Sequence, residues 1–169
     1  AWGIDAPAPE TYPRLDRIWP EHPGLVDQNG AEFGVARLEG RPTLVTFAFG
    51  HCATLCPAIV HQARATRLEL GNEWRIAVIT LDPWRDTPSR LRRLVEQFEL
   101  DPESDFVVSG EVDAVNAALD DWGIPRDRDE TTGDVTHPGL VYLVNGSGTL
   151  AFASTGGIEQ MVSLGLRVE

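Results

Sequence analysis

The 169-residue chain contains no lysine; all 14 of its basic residues are arginine. Lysine Schiff-base chemistry is thereby excluded. Cysteine is nearly as scarce, with Cys52 and Cys56 alone. Without a third thiol, a closed zinc site of four cysteines, or of three cysteines and a histidine, cannot be built within one chain. No basic stripe offsets the 26 acidic residues and the net charge of −12, which argues against nucleic acid and anionic lipid as partners. No apolar run approaches the ~20 residues of a spanning helix, and no signal-peptide core is visible. The chain starts at Ala1 and its one methionine is Met161. The expectation is a processed or trimmed piece whose N-terminal address has been removed.

What is present fits one globular domain. At 42% hydrophobic, the chain can build a core that needs no disulfide to fold. Residues 1–23 are rich in Pro, Ala and Trp without periodicity and read as an extended lead-in to a single domain over 24–169. "GLVDQNGAEFGVARLEG" offers a hairpin around Asn29-Gly30. "RPTLVTFAF" and "WRIAVITL" are continuous apolar runs, as expected of strands buried on both faces. Between them a helix should start near Pro57, with Ile59, Ala63, Thr66 and Leu70 on one face. Leu91, Leu94, Val95 and Phe98 show the spacing of a second amphipathic helix, and Val112, Val115, Leu119 and Trp122 that of a third, ended by Gly123. "DFVVS" reads as a strand and 125–135 as a charged loop. "GLVYLVN" and "TLAFAS" form a closing hairpin, followed by a last helix from about Gly157. Strands alternating with helices imply an α/β, thioredoxin-like fold: a mostly parallel central sheet with helices on both faces, an N-terminal hairpin and an antiparallel C-terminal hairpin.

In such a fold sites form beyond the carboxyl ends of the strands, where "FAFGHCATLCPAIVHQA" places both cysteines. A helix opening at Pro57 puts Cys56 near its positive end, which favours thiolate over thiol. The i, i+4 spacing permits a disulfide, and equally lets two thiolates converge on one soft metal ion. Cys52 and Cys56 are therefore a redox pair, the sulfur half of a copper site, or a structural bridge. As an exchange pair, Cys52 on the loop would attack and Cys56 would resolve. A third ligand could come from His51, beside Cys52, or from His61, well round the helix, but His137 suits better. It precedes "GLVYLVN", whose leading loop lies beside the cysteine loop in a thioredoxin-like sheet. Two sulfurs with one imidazole suit Cu(I) and Cu(II). In "LDPWRDTP", Thr87 and Pro88 read as a helix start, and Asp82 could orient a site residue or bond its own loop. Trp84 reads as a partner-facing aromatic or a lid. Arg85, Arg90, Arg92 and Arg93, with Glu96 and Glu99, read as a solvated, salt-bridged helix face.

The segment "TFAFGHCATLCPAIV", then "ITLDPWRDTPSRL", then a histidine just before "GLVYLVNGSG", resembles the Sco/SenC family of copper-binding, thioredoxin-fold proteins. The resemblance runs from about Leu25 to Phe152. It implies Cys52, Cys56 and His137 as copper ligands. It also implies a role as metallochaperone, delivering copper to, or keeping reduced, the cysteine pair of the dinuclear copper site of cytochrome oxidase. A periplasmic or otherwise extracytoplasmic domain with a membrane tether is a further implication. Two positions differ from the family's usual pattern. Thr136 stands where members usually carry an aspartate, with Asp134 close by. Pro138 makes "THPGLVYLVNGSG" also resemble the thioredoxin segment in which a cis-proline faces the cysteines, which would suit a metal-free thiol–disulfide oxidoreductase.

Overall fold

The computed structural model describes residues 13–51, 55–155 and 157–169, without the side chains of 55–57. Its central sheet is built on three parallel strands: β3 (Thr43–Ala48), β4 (Arg75–Thr80) and β5 (Phe106–Gly110). All six β3 residues and all five β5 residues are buried, as continuous apolar runs covered on both faces must be. The flanks are antiparallel, so the whole sheet is mixed. On one side β8 (Val141–Val144) pairs with β3, β9 (Thr149–Ser154) with β8, and the short β1 (Arg17–Ile18) with β9. On the other side β2 (Leu25–Val26) closes the edge against β5. The order is β1-β9-β8-β3-β4-β5-β2, a thioredoxin-like arrangement with the expected closing hairpin.

Helices α1 (Leu55–Leu70) and α2 (Leu91–Gln97) cross between the parallel strands, and right-handed crossovers place both on one face. Arg64 on α1 meets Glu99, just past α2, at 3.0 Å. Helix α4 (Ile158–Gly165) packs against α1. The face of α1 expected to be apolar is buried at Ile59, Ala63 and Thr66. On α2, Leu91, Leu94 and Val95 are buried, and so is Phe98 behind it. Helix α3 (Val112–Asp121) ends at Trp122 and the left-handed Gly123 (φ 72°). Trp122 packs at a tilt against Trp19 (4.7 Å between ring centroids), and Trp19 in turn meets Tyr142 of β8 edge-on.

Three local expectations change. The Asn29-Gly30 turn forms, held by Asp27 Oδ1 accepting from Asn29 N and Ala31 N. It closes only a single bridge, Val26 to Glu32, because Val35–Leu38 coil into a 3-10 turn instead of a second strand. The charged stretch after α3 is itself a small ribbon, β6 (Asp127–Arg128) against β7 (Val135–Thr136). Its turn is tied by Asp129, whose Oδ1 accepts from Thr131 N and whose carbonyl accepts from Gly133 N. Within the lead-in, β1 pairs with β9 and Trp19 is only 4% exposed.

Candidate metal centre

The register fixes which loops share one end of the sheet. Ala48 of β3 lies opposite Thr80 of β4, and Thr46 opposite Val141 of the antiparallel β8. The segment leaving β3, the segment leaving β4 and the segment entering β8 therefore emerge together. The first carries Phe49, Gly50, His51 and Cys52; the second carries Asp82 to Thr87; the third carries His137. Helix α1 begins at the same end, with Cys56 and Pro57 in its first turn, where unpaired amides and the helix dipole favour an anion. Cys52 and the side chain of Cys56 lie outside the described residues.

His137 is where the topology argument puts it. Its ring meets that of Phe49, three residues before Cys52, edge to face with 5.9 Å between centroids. The loop that carries it also presses on α1. A Cβ placed on Gly139 would stand 3.4 Å from Ile59 Cδ1, three residues beyond Cys56. The imidazole is only 9% exposed, and burial holds its pKa below the ordinary histidine value, with a smaller opposing effect from the Pro138 carbonyl. Nδ1 lies 3.1 Å from that carbonyl oxygen. A carbonyl can only accept, so Nδ1 carries the proton and the neutral ring has its lone pair on Nε2. That is the form in which histidine binds a metal.

The other histidines are placed differently. His51 and His61 are both exposed. His22 Nε2 lies 2.9 Å from Asp121 Oδ2, with its ring edge-on to Trp122, at the end of α3. Among the described residues no group of three His, Cys, Asp or Glu could hold a metal ion. The donor chemistry at this end of the sheet, two cysteines and a neutral buried imidazole, fits a soft ion that also accepts nitrogen, as copper does.

Two readings of the neighbouring segments are corrected. The His137–Pro138 bond is trans, as is every peptide bond among the described residues, so the thioredoxin-like cis-proline is not formed. Trans is the default X–Pro isomer by roughly 0.5–1 kcal/mol. Here the trans loop already gives the Leu140 carbonyl to Thr46 Oγ1 at 2.9 Å. Thr87 stands at the N-cap with Pro88 next, but its hydroxyl meets Ser89 Oγ and makes no cap bond. The start is a 3-10 turn, Pro88–Arg90, which runs on into α2. Thr136 is exposed on β7, opposite Asp127, and Asp134 is exposed in the ribbon turn.

The segment after β4 holds what the sequence left open. Asp82 is fully buried; its Oδ2 accepts from Arg85 Nε, while its Oδ1 has no hydrogen-bond partner among the described residues. Arg85, placed by sequence on a solvated helix face, instead turns inward ahead of the helix. Its Nη2 donates to the Gly133 carbonyl at 2.7 Å. Asp86 is 2% exposed, and its Oδ2 accepts from Thr80 Oγ1 at 2.7 Å and Gly50 N at 3.1 Å. Of the other arginines expected on that face, Arg92 Nε donates to the Gln28 carbonyl. Trp84 is 42% exposed with the Arg128 guanidinium 4.3 Å above its ring, so it does not serve as a lid on the core.

A model of the SCO1/SenC family matches residues 21–161, most of the chain. The chain belongs to the SCO1/SenC family. A Stutzerimonas stutzeri protein whose name proposes copper binding is 31% identical over 134 residues, covering 75% of this chain and 64% of that protein. A SCO2-like protein of Rickettsia conorii is 28% identical, covering 73% and 63% respectively. The chain thus spans slightly less than two thirds of the length of these relatives. Among solved structures, copper-bound ScoI of Bradyrhizobium japonicum superposes with a TM-score of 0.74 at 24% identity, over 90% of this chain and 99% of that one. Copper-bound ScoI of Arabidopsis thaliana gives 0.77 at 18%, over 89% and 98%. At such identities the structural likeness establishes the fold, and the family rests on the sequence match.

Proposed function

We propose that this SCO1/SenC protein carries copper, held by Cys52, Cys56 and His137, and passes it to a partner by ligand exchange. The observation that supports this most is the placement of His137. Its imidazole is buried, with Nδ1 3.1 Å from the Pro138 carbonyl, and is set edge-on against Phe49 in the segment that leads to Cys52. The two thiolates would hold Cu(I), and the imidazole would add what Cu(II) needs. The copper is cargo. The recipient is the copper-site subunit of a cytochrome oxidase; a related Sco protein is described as a cytochrome c oxidase assembly protein with a disulfide switch. The same two thiols could instead reduce that subunit's cysteine pair, giving up two electrons and two protons and closing the Cys52–Cys56 disulfide. A domain outside the cytoplasm, tethered to a membrane in the full-length protein, completes the proposal. Among the described residues no helix is long and apolar enough to cross a membrane.

Anaerobic titration of the reduced protein against a Cu(I) chelator tests the reading. One Cu(I) should bind tightly, and His137→Ala should weaken Cu(II) binding far more than Cu(I) binding. A reduced protein that takes up no Cu(I) contradicts the proposal.

A further inference from the structure

Helix initiation accounts for Thr87 and Pro88 in "LDPWRDTP", but not for Arg85 and Asp86. These neighbours send their side chains to the cysteine loop and to the ribbon turn that leads, through β7, to the histidine segment. Asp86 Oδ2 accepts from the amide of Gly50, two residues before Cys52. Arg85 Nη2 donates to the carbonyl of Gly133, four residues before His137. Each is itself held: Asp86 by the Thr80 hydroxyl, with its own carbonyl receiving the Ser109 hydroxyl, and Arg85 by the buried Asp82. Both attachment points are glycines with close neighbours. A Cβ on Gly50 would stand 2.7 Å from Leu94 Cδ2 and 3.1 Å from Asp86 Oδ1. A Cβ on Gly133, at φ +80°, would stand 3.2 Å from Arg85 Cζ. The Gly50 carbonyl is taken as well, by Gln97 Nε2 at 2.8 Å.

We infer that Arg85 and Asp86 form a two-armed clamp that sets the cysteine loop and the histidine loop relative to each other. They are positioning residues, acting through Gly133 and Gly50. The inference rests on reading Cys52, Cys56 and His137 as one site. It goes further in dividing the labour: Arg85 governs the imidazole half and Asp86 the sulfur half. Loss of a partner that orients a ligand typically lowers metal affinity by about tenfold or more. A lysine cannot replace the guanidinium fork at Arg85, whereas an asparagine at Asp86 retains an oxygen acceptor for Gly50 N.

The test uses the full chain and the variants Arg85→Ala, Arg85→Lys, Asp86→Ala and Asp86→Asn. Leu119→Ala, a fully buried α3 residue, serves as a control that lowers stability by packing alone. Three properties are read. The first is Cu(II) affinity with its thiolate charge-transfer spectrum. The other two, in copper-free protein, are the pH profile of thiol alkylation together with the potential of the Cys52–Cys56 couple, and the ring resonances of His137. Arg85→Ala and Arg85→Lys should weaken Cu(II) about tenfold or more, change its spectrum and shift the His137 resonances, leaving the potential at the wild-type value. Asp86→Ala should move the alkylation profile and the potential, with Asp86→Asn returning most of the way. Leu119→Ala should move none of these. The clamp is overturned if both alanine variants keep wild-type spectra, potential and resonances, or if Leu119→Ala reproduces their changes. Failure of wild type to bind copper would remove the proposed function, while the copper-free readings would still decide the clamp.

Discussion

A carboxyl group as enclosed as that of Asp86, 2% exposed, resists losing its proton. Burial raises its pKa above the ordinary 3.8 and the charge of Asp82 adds to this, against the hydrogen bonds from Thr80 and Gly50. The unfolded chain therefore releases this proton at lower pH than the folded one. It follows that Asp86 contributes stability that is complete below the unfolded value and is lost as pH rises through the raised folded value. Asp86→Asn has no such loss. The unfolding free energy of the variant minus that of wild type should climb from about pH 4 upward and level off above the folded pKa. Urea unfolding of both proteins between about pH 4 and pH 8 measures this, and a difference that stays flat contradicts it. At this scale the sequence was legible only in part. His137 could be singled out because chain order places the loop before β8 beside the loop after β3. Arg85 and Asp86 could not, because their partners are a backbone carbonyl and a backbone amide of distant glycines. No residue type announces such a partner.

Among the elements, those with a buried run of their own were readable and those that borrow their burial were not. β3, β4, β8 and β9 are apolar stretches, and α1, α2 and α3 bury the residues that periodicity selects. β1 is two exposed residues, Arg17 and Ile18, with no alternation to read. The β6–β7 ribbon lies in charged sequence and is shaped by the Asp129 turn. The lead-in shows the consequence. Trp19 sits against Trp122 and Tyr142; Trp122 Nε1 donates to the Pro20 carbonyl, and the Tyr142 hydroxyl to the Trp122 carbonyl. These contacts tie residues 17–20 to the end of α3 and to β8. Trp19→Ala should cost about 3–5 kcal/mol, the range for removing a buried large aromatic. Denaturant unfolding measures it. A loss below about 1 kcal/mol, typical of a surface change, would mean that the lead-in rests on the domain without supporting it.

For the molecule as a whole, a thioredoxin-like sheet brings three loops to one end, and membership of the SCO1/SenC family agrees with what two cysteines and a neutral imidazole can do there. The net charge of −12 keeps the chain soluble and raises the local concentration of cations around it. In the proposed site, selection of copper over harder ions would come from the sulfurs, since carboxylates favour magnesium or calcium. The parallel core and its site-bearing end were legible because hydrophobic runs and chain order decide them. The sulfur geometry lies outside the described residues, and in sequence Cys52 and Cys56 precede or open a helix whose first turn alone says nothing of a metal. The central claim is the ligand set. X-ray absorption at the copper edge of the Cu(II)-loaded protein reads it directly, with His137→Ala measured alongside. The expected result is two sulfur donors and one imidazole, with the imidazole signal absent from the variant. Copper bound without sulfur, or an imidazole signal that survives His137→Ala, would contradict it.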